Sequence, residues 1–341
     1  MSYRLLGRTG LLVHPLCLGT MNFGNERWGC DEKTSLDILA AYVDRGGNFI
    51  DTANRYAAGR SEEIIGKFLK GRREKIVLAT KCFFPEGDGP NQIGLSRKNI
   101  FEQVEYSLRR LDTDYIDLYQ VHIWDPLTPI EETLSALSDL VHQGKVRYLG
   151  CCNFTGWQLV MAMERARQEG LESFVVTQPQ YNLLCRDIEV GLLPACEEYE
   201  LGILAWSPLA FGLLAGKYSY EGGPEGSRMS APTKDDVMYS WRERMWTKQN
   251  FEIIELLKQK AAELDTSPVA IALDWVLSQE LVTSAIIGPR TIEQLEGNWE
   301  AVSSQVPVEL LEDLDDRSAP YENYLDFMQG GVMMRRIEQM E

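Results

Sequence analysis

Eight short apolar runs, each followed by a longer segment with helical spacing, constrain this chain most. The runs end at Gly19, Ile50, Thr80, Val121, Cys151, Thr177, Ala205 and Ile287. Helical patterns follow at 31–45, 61–69, 96–111, 129–143, 156–169, 189–200 and 291–302. Two more, at 251–264 and 267–278, lead into the last run. Asp31, Ser61 and Ser96 stand where helix N-caps belong, and Pro129 stands near a helix start. Glu62 and Glu63 are expected to face the positive end of their helix. Strict strand–helix alternation predicts a parallel sheet. Eight such units predict closure into a (β/α)8 TIM barrel. A hairpin over residues 1–15 precedes it, with the turn Gly7-Arg8-Thr9-Gly10, and would cap the barrel floor.

The chemistry-bearing residues fall at the ends of these runs. Asp51, Lys81 and His122 close the second, third and fourth, and Tyr56 lies in the loop after Asp51. In a parallel barrel such positions converge on one face, where barrel enzymes react. A phenol beside an ammonium is a candidate proton donor to a carbonyl oxygen. A free tyrosine has a pKa of about 10, and the Lys81 charge is expected to lower it. Asp51 would hold Lys81 charged and in place, while His122 would hydrogen-bond the substrate oxygen. This arrangement points to reduction of an aldehyde or ketone.

The motifs carrying these residues resemble those of the aldo-keto reductases. The first is Gly46-Gly47-Asn48-Phe49-Ile50-Asp51-Thr52-Ala53-Asn54-Arg55-Tyr56, followed by Ser61-Glu62-Glu63-Ile64-Ile65-Gly66. Leu78-Ala79-Thr80-Lys81 and Asp117-Leu118-Tyr119-Gln120-Val121-His122 come next, in family order. Gly144–Gly150, Gln178–Leu184, Ser207-Pro208-Leu209 and the stretch from Gly288 to Asn298 continue the likeness over most of the chain, closer to microbial members.

The resemblance implies an extended nicotinamide dinucleotide across the barrel mouth, NADPH rather than NADH. Asn153 and Gln178 would then hold the carboxamide, and Trp206 would stack on the nicotinamide. Ser207, Leu209 and Gly212 would line the pyrophosphate; the loop Gly212–Tyr218 itself suggests backbone N–H groups for it, with Ser207 and Lys217 helping. Gly288, Arg290, Gln294 and Asn298 would surround the adenosine. Arg290 is the candidate for the 2′-phosphate, because guanidinium matches phosphate bidentately. Two positions depart from the family pattern. Cys152 replaces a serine before Asn153, and Gly297 replaces a glutamate near the adenine. Phe23, Trp28, Phe83, Phe84 and Trp124 lie in loops expected to ring an apolar substrate pocket. The family also includes potassium-channel β-subunits, so a cofactor-binding accessory protein is the alternative reading.

Several other classes are disfavoured. A net charge of −17 argues against nucleic acid or an anionic membrane as partner. No apolar run is long enough to span a bilayer. Seven cysteines without C-x-x-C spacing, and no signal-peptide pattern, point to reduced thiols in the cytoplasm. Three scattered histidines offer no metal motif. The segment Gly212–Tyr218 is similar to a phosphate loop, but one residue short between its glycines and with Tyr218 in place of Ser or Thr. The 341 residues are read as one barrel domain with three long insertions, 83–95, 218–250 and the tail 318–341. The first two are expected to overhang the active face. Composition does not define the oligomeric state.

Overall fold

The computed structural model describes residues 2–25, 28–224, 227, 229, 237–303 and 306–320. Strands β1 (Arg4–Leu5) and β2 (Leu12–Val13) form the antiparallel hairpin. Eight parallel strands then close a barrel: β3 (Leu16–Gly19), β4 (Phe49–Asp51), β5 (Val77–Cys82), β6 (Ile116–Val121), β7 (Val146–Cys152), β8 (Phe174–Gln178), β9 (Gly202–Trp206) and β10 (Val282–Ile287). Helices α1 (Glu32–Asp44), α2 (Arg60–Leu69), α3 (Arg97–Leu111), α4 (Ile130–His142), α5 (Gly156–Glu169) and α6 (Leu192–Glu198) follow β3 to β8 in turn. Between β9 and β10 come α7 (Val237–Met245), α8 (Lys248–Glu263) and α9 (Pro268–Ser278), and α10 (Ile292–Ala301) and α11 (Val308–Ser318) follow β10. The fold is the predicted TIM barrel with an N-terminal hairpin.

Strand periodicity of two explains both the core and the site. Phe49, Val77, Ala79, Leu118, Val176, Leu204 and Ile286 point into the barrel, and Leu6 and Val13 of the hairpin segment close it below. Two residues further along the same inward rows come Asp51, Lys81, Gln120 and Gln178, all buried. The barrel interior is therefore apolar at its floor and polar at its C-terminal mouth. The alternate positions, such as Leu16, Ile50, Leu78, Tyr119 and Leu149, pack against the helices in a larger apolar layer.

Local expectations need four corrections. Ser61 is not a cap: α2 starts one residue earlier, after Gly59 with φ +89°, and Ser61 is buried against Thr20 and Thr52. Glu62 does not simply face the helix dipole; it is buried behind β5, bonded by Thr80 and ion-paired with Arg110. The segment expected at 189–200 splits into a 3-10 turn at Asp187–Val190 and the shorter α6. The 218–250 insertion is not wholly irregular, because α7 lies within it and α8 begins at Lys248. Helix α11 precedes the region read as a tail, sharing only Ser318 with it, and residues 321–341 are outside the described set. It is tied down by Arg186, which donates to the Asp315 carbonyl and to Ser318 Oγ.

Candidate active site

Lys81 organises the mouth of the barrel. Its side chain is fully buried, and its ammonium donates to Asp51 Oδ2 at 2.6 Å, the Thr52 carbonyl at 2.9 Å and Tyr56 Oη at 3.2 Å. An ammonium has three N–H donors, so all three have acceptors. Tyr56 Oη accepts from Lys81 and keeps its own proton to donate elsewhere. Burial opposes the Lys81 charge, but Asp51 and Tyr56, with a smaller part from Cys152, together outweigh it, and the ammonium is held well above its ordinary value.

Asp51 is positioned in turn by two amides. Gln178 Nε2 donates to its Oδ1 at 2.9 Å and Gln120 Nε2 at 3.2 Å. Gln120 was not singled out from the sequence. It stands two residues before His122 on the inward row of β6, so strand parity was the signal that could have found it. Gln178, expected at a carboxamide, spends an amide hydrogen on Asp51.

Tyr56 departs from expectation in its titration. Burial pushes its pKa above the ordinary 10, and Asp51 adds to that; the lowering effect of Lys81 is outweighed. The phenol therefore stays protonated at neutral pH, as a proton donor must. His122 is held well below its ordinary value by burial and by the Lys81 charge, so its imidazole is neutral. Its Nδ1 is buried with no hydrogen-bond partner. The Tyr56 ring lies edge-on to it with centroids 6.0 Å apart, and the Phe84 ring at 4.8 Å.

Beside this cluster, Asn153 adopts a left-handed conformation with φ +56°. Its Nδ2 donates to the His122 carbonyl at 3.0 Å, and its Oδ1 accepts from Trp206 Nε1 at 3.0 Å. A primary amide retains a second hydrogen and a second lone pair, so Asn153 can still pair with a carboxamide. Trp206 is partly exposed at the end of β9 and is braced edge-on by Trp241 of α7 at 5.6 Å. Ser207, Ala210, Phe211 and Gly212 all have positive φ, making a tight turn of the kind that presents backbone N–H groups to anions. Ser207 Oγ here accepts from the Phe211 N–H, and the Gly212 N–H bonds Leu209. The Lys217 ammonium reaches close to Gly212: a Cβ built there would meet Nζ at 3.8 Å.

The last group lies where β10 ends, next to the β3 loop. Arg290 donates from Nη1 to the Trp28 carbonyl at 3.2 Å, and its backbone N–H to Gln294 Oε1 at 2.9 Å. Among the described residues no carboxylate pairs with Arg290, which leaves its guanidinium suited to a phosphate. Asn298 is buried on α10, and a side chain at Gly288 would meet open space. The donors at these positions fit a dinucleotide: amides at one end, a turn and a lysine in the middle, a guanidinium at the other.

The pocket rim is only partly as expected. Phe23 is fully buried, paired through its backbone with Cys30, and packs in the core, so it cannot touch a substrate. Trp28 lies beside Arg290 at the dinucleotide's expected adenosine end. Phe83 packs on Phe84, and Trp124 on Phe154 and the exposed Trp157. Cys82 and Cys152 are buried, with thiol pKa values pushed up by burial, Cys82 to about 12.

Comparison with known proteins identifies the family. Residues 15–318 match the model of the aldo/keto reductase family. An uncharacterized oxidoreductase, YrpG of Bacillus subtilis (strain 168), is 43% identical over 327 residues, covering 93% of this chain and 95% of its own. Norsolorinic acid reductase of Aspergillus flavus is 35% identical, covering 92% and 80%. A probable voltage-gated potassium channel subunit beta of Oryza sativa is 37% identical, covering 89% and 91%.

Proposed function

The chain belongs to the aldo/keto reductase family, an oxidoreductase fold acting on small carbonyl compounds, and from that premise we propose NADPH-dependent reduction with Tyr56 as the acid. Bound NADPH supplies the hydride to the carbonyl carbon. Tyr56 delivers its proton to the carbonyl oxygen, and the resulting phenolate is stabilised by the Lys81 ammonium at 3.2 Å. Neutral His122 hydrogen-bonds that oxygen and orients it. Asp51, held by Gln120 and Gln178, fixes Lys81. The observation that carries the reading is the saturation of the Lys81 ammonium. With three acceptors already taken, it can only accept charge relief through Tyr56, not donate to substrate itself.

Asn153 and Gln178 hold the carboxamide and Trp206 stacks on the nicotinamide. Ser207, Leu209, Gly212 and Lys217 flank the pyrophosphate, and Gly288, Gln294 and Asn298 the adenosine. Arg290 selects the 2′-phosphate. The substrate pocket is bordered by Phe83, Phe84 and Trp124, with Trp28 nearer the adenosine end. Seven free, buried cysteines are in keeping with a reducing compartment, the cytoplasm.

Tyr56→Phe tests the assignment. Reduction of a carbonyl panel should be abolished while NADPH binding is nearly intact. A variant retaining a tenth of the rate, about 1.4 kcal/mol in barrier, would reject Tyr56 as the acid. The similarity to potassium-channel β-subunits supports a second reading, a cofactor-binding accessory protein. Absence of turnover across the panel, with NADPH still bound, would favour it.

A further inference from the structure

Gln103 lies on α3, away from the strand ends, and is fully buried. Its Oε1 accepts from the Phe83 N–H at 2.9 Å and from Asn54 Nδ2 at 3.3 Å. Its Nε2 donates to the Phe84 carbonyl at 3.1 Å, which also accepts from Asn54 Nδ2 at 2.9 Å. Phe83 itself has φ +144°, a conformation that bulky residues rarely adopt. Its carbonyl accepts from the Gly94 N–H at 2.9 Å, so both of its backbone polar groups are held. An unfavourable backbone persists only when its surroundings over-determine it, as these bonds do. The bend turns the chain directly after β5 and sets the Phe84 ring edge-on to His122 at 4.8 Å. Arg110, three-fold anchored to the Asn54 carbonyl, Glu62 and Glu86, ties the same loops together from the helix layer.

We propose that Gln103 is a positioning residue, clamping the Phe83–Phe84 backbone so that the Phe84 ring shields His122 from water and fixes its orientation toward the carbonyl. This rests on the role given to His122 above, but its signature is read on the resting protein. The groups facing the imidazole are few. Among the described residues, Lys81 from β5 and Tyr56 from the loop after β4 are the titratable ones, and the Phe84 ring is uncharged. Since burial is the first cause of the neutral imidazole, with Lys81 second, loosening Phe84 should be visible at His122.

The test uses cofactor-free protein with isotopically labelled histidine. Only three histidines are present, and His122→Asn identifies the His122 ring signal by its loss. In the parent protein that signal should not titrate between about pH 8 and pH 5.5. In Gln103→Met, which keeps the volume and removes the polar contacts, it should begin to titrate within that range, still below its ordinary value of about 6.5 because the Lys81 charge remains. The same variant should lose about tenfold in kcat, with NADPH affinity changed by less than about twofold, as a misoriented site would. Phe84→Ala leaves Gln103 in place and should give the same titration, so the proposal stands or falls even if Gln103→Met does not fold. A His122 signal that stays silent in either variant overturns it. Failure of the reduction reading would instead appear as an active Tyr56→Phe, with these titrations unaffected.

Discussion

At the scale of single residues, the site divides into side chains that meet substrate and side chains that hold them. Lys81 belongs to the second kind: it is saturated by Asp51, Thr52 and Tyr56, and its charge acts through the phenol. Lys81→Met should therefore cost about as much in kcat as Tyr56→Phe, without loss of NADPH affinity; steady-state kinetics with a fluorescence titration would show it. The Arg290 guanidinium bonds the Trp28 carbonyl and has no carboxylate partner among the described residues, as the proposed 2′-phosphate contact requires. A charge-assisted hydrogen bond contributes about 1.5–3 kcal/mol. Arg290→Ala should then weaken NADPH by about one to two orders of magnitude and leave NADH nearly unchanged. Equal losses for both would move Arg290 off the 2′-phosphate. The tetrad positions were legible from their places at run ends. Gln120 was missed although strand parity points it inward, and Gln103 was not legible, because a buried amide on a helix looks like any polar residue until its partners are known. The Tyr56 titration reversed sign for a related reason: proximity to Lys81 can be read from spacing, but desolvation cannot.

At the scale of elements, the insertion after β9 carries the clearest expectation. Trp241 of α7 stands edge-on to Trp206 and tilted against Phe211, centroids 5.6 and 5.3 Å away. Trp246 packs on Tyr218 and Phe251. The insertion is thus seated beside the ring expected to stack on the nicotinamide. Residues 225–226, 228 and 230–236, on which part of the expectation falls, lie outside the described set. Saturating NADPH should suppress proteolytic cleavage between Tyr218 and Asn250, and slow cofactor release should follow from such a cover. Cleavage at the same rate with and without cofactor would leave the aromatics as local packing. The helix inside this insertion escaped sequence reading because Trp241, its aromatic seated beside Trp206 and Phe211, packs against other elements and marks no independent amphipathic face. Helix α11 escaped because its short apolar face, Leu310 and Leu314, gains its docking from Arg186 on a distant loop.

At the scale of the whole molecule, two depressed histidines should lower stability as pH falls below about 7, against an opposing contribution from Glu62, whose carboxyl pKa burial pushes up. His14 and His122 both have pKa values depressed chiefly by burial. A depressed histidine binds fewer protons folded than unfolded, so stability falls as pH drops through the ordinary value of about 6.5. Each contributes at most about 1.4 kcal/mol per pH unit in that window. Urea midpoints should decline between about pH 7 and pH 5, and His122→Asn should flatten part of the decline; a midpoint independent of pH there would mean neither histidine is neutral in the folded state.

The sequence by itself determined the barrel, its closure and the grouping of Asp51, Tyr56, Lys81 and His122 at one mouth. Those depend on period, order and run length, which are properties of neighbours along the chain. Asp51, Lys81 and His122 follow from parity at the ends of parallel strands, and Asn153 and Arg290 from motif position. Only the tertiary structure decided which groups were desolvated and what held them. It buried Phe23 away from the pocket, turned Glu62 from a helix-end carboxylate into an ion-paired buried acid, and raised the Tyr56 pKa. It also brought Gln103 of α3 to the backbone of Phe83, and Trp241 of α7 to Trp206. Burial and long-range pairing are set by what packs from elsewhere in the chain, and no local pattern encodes them.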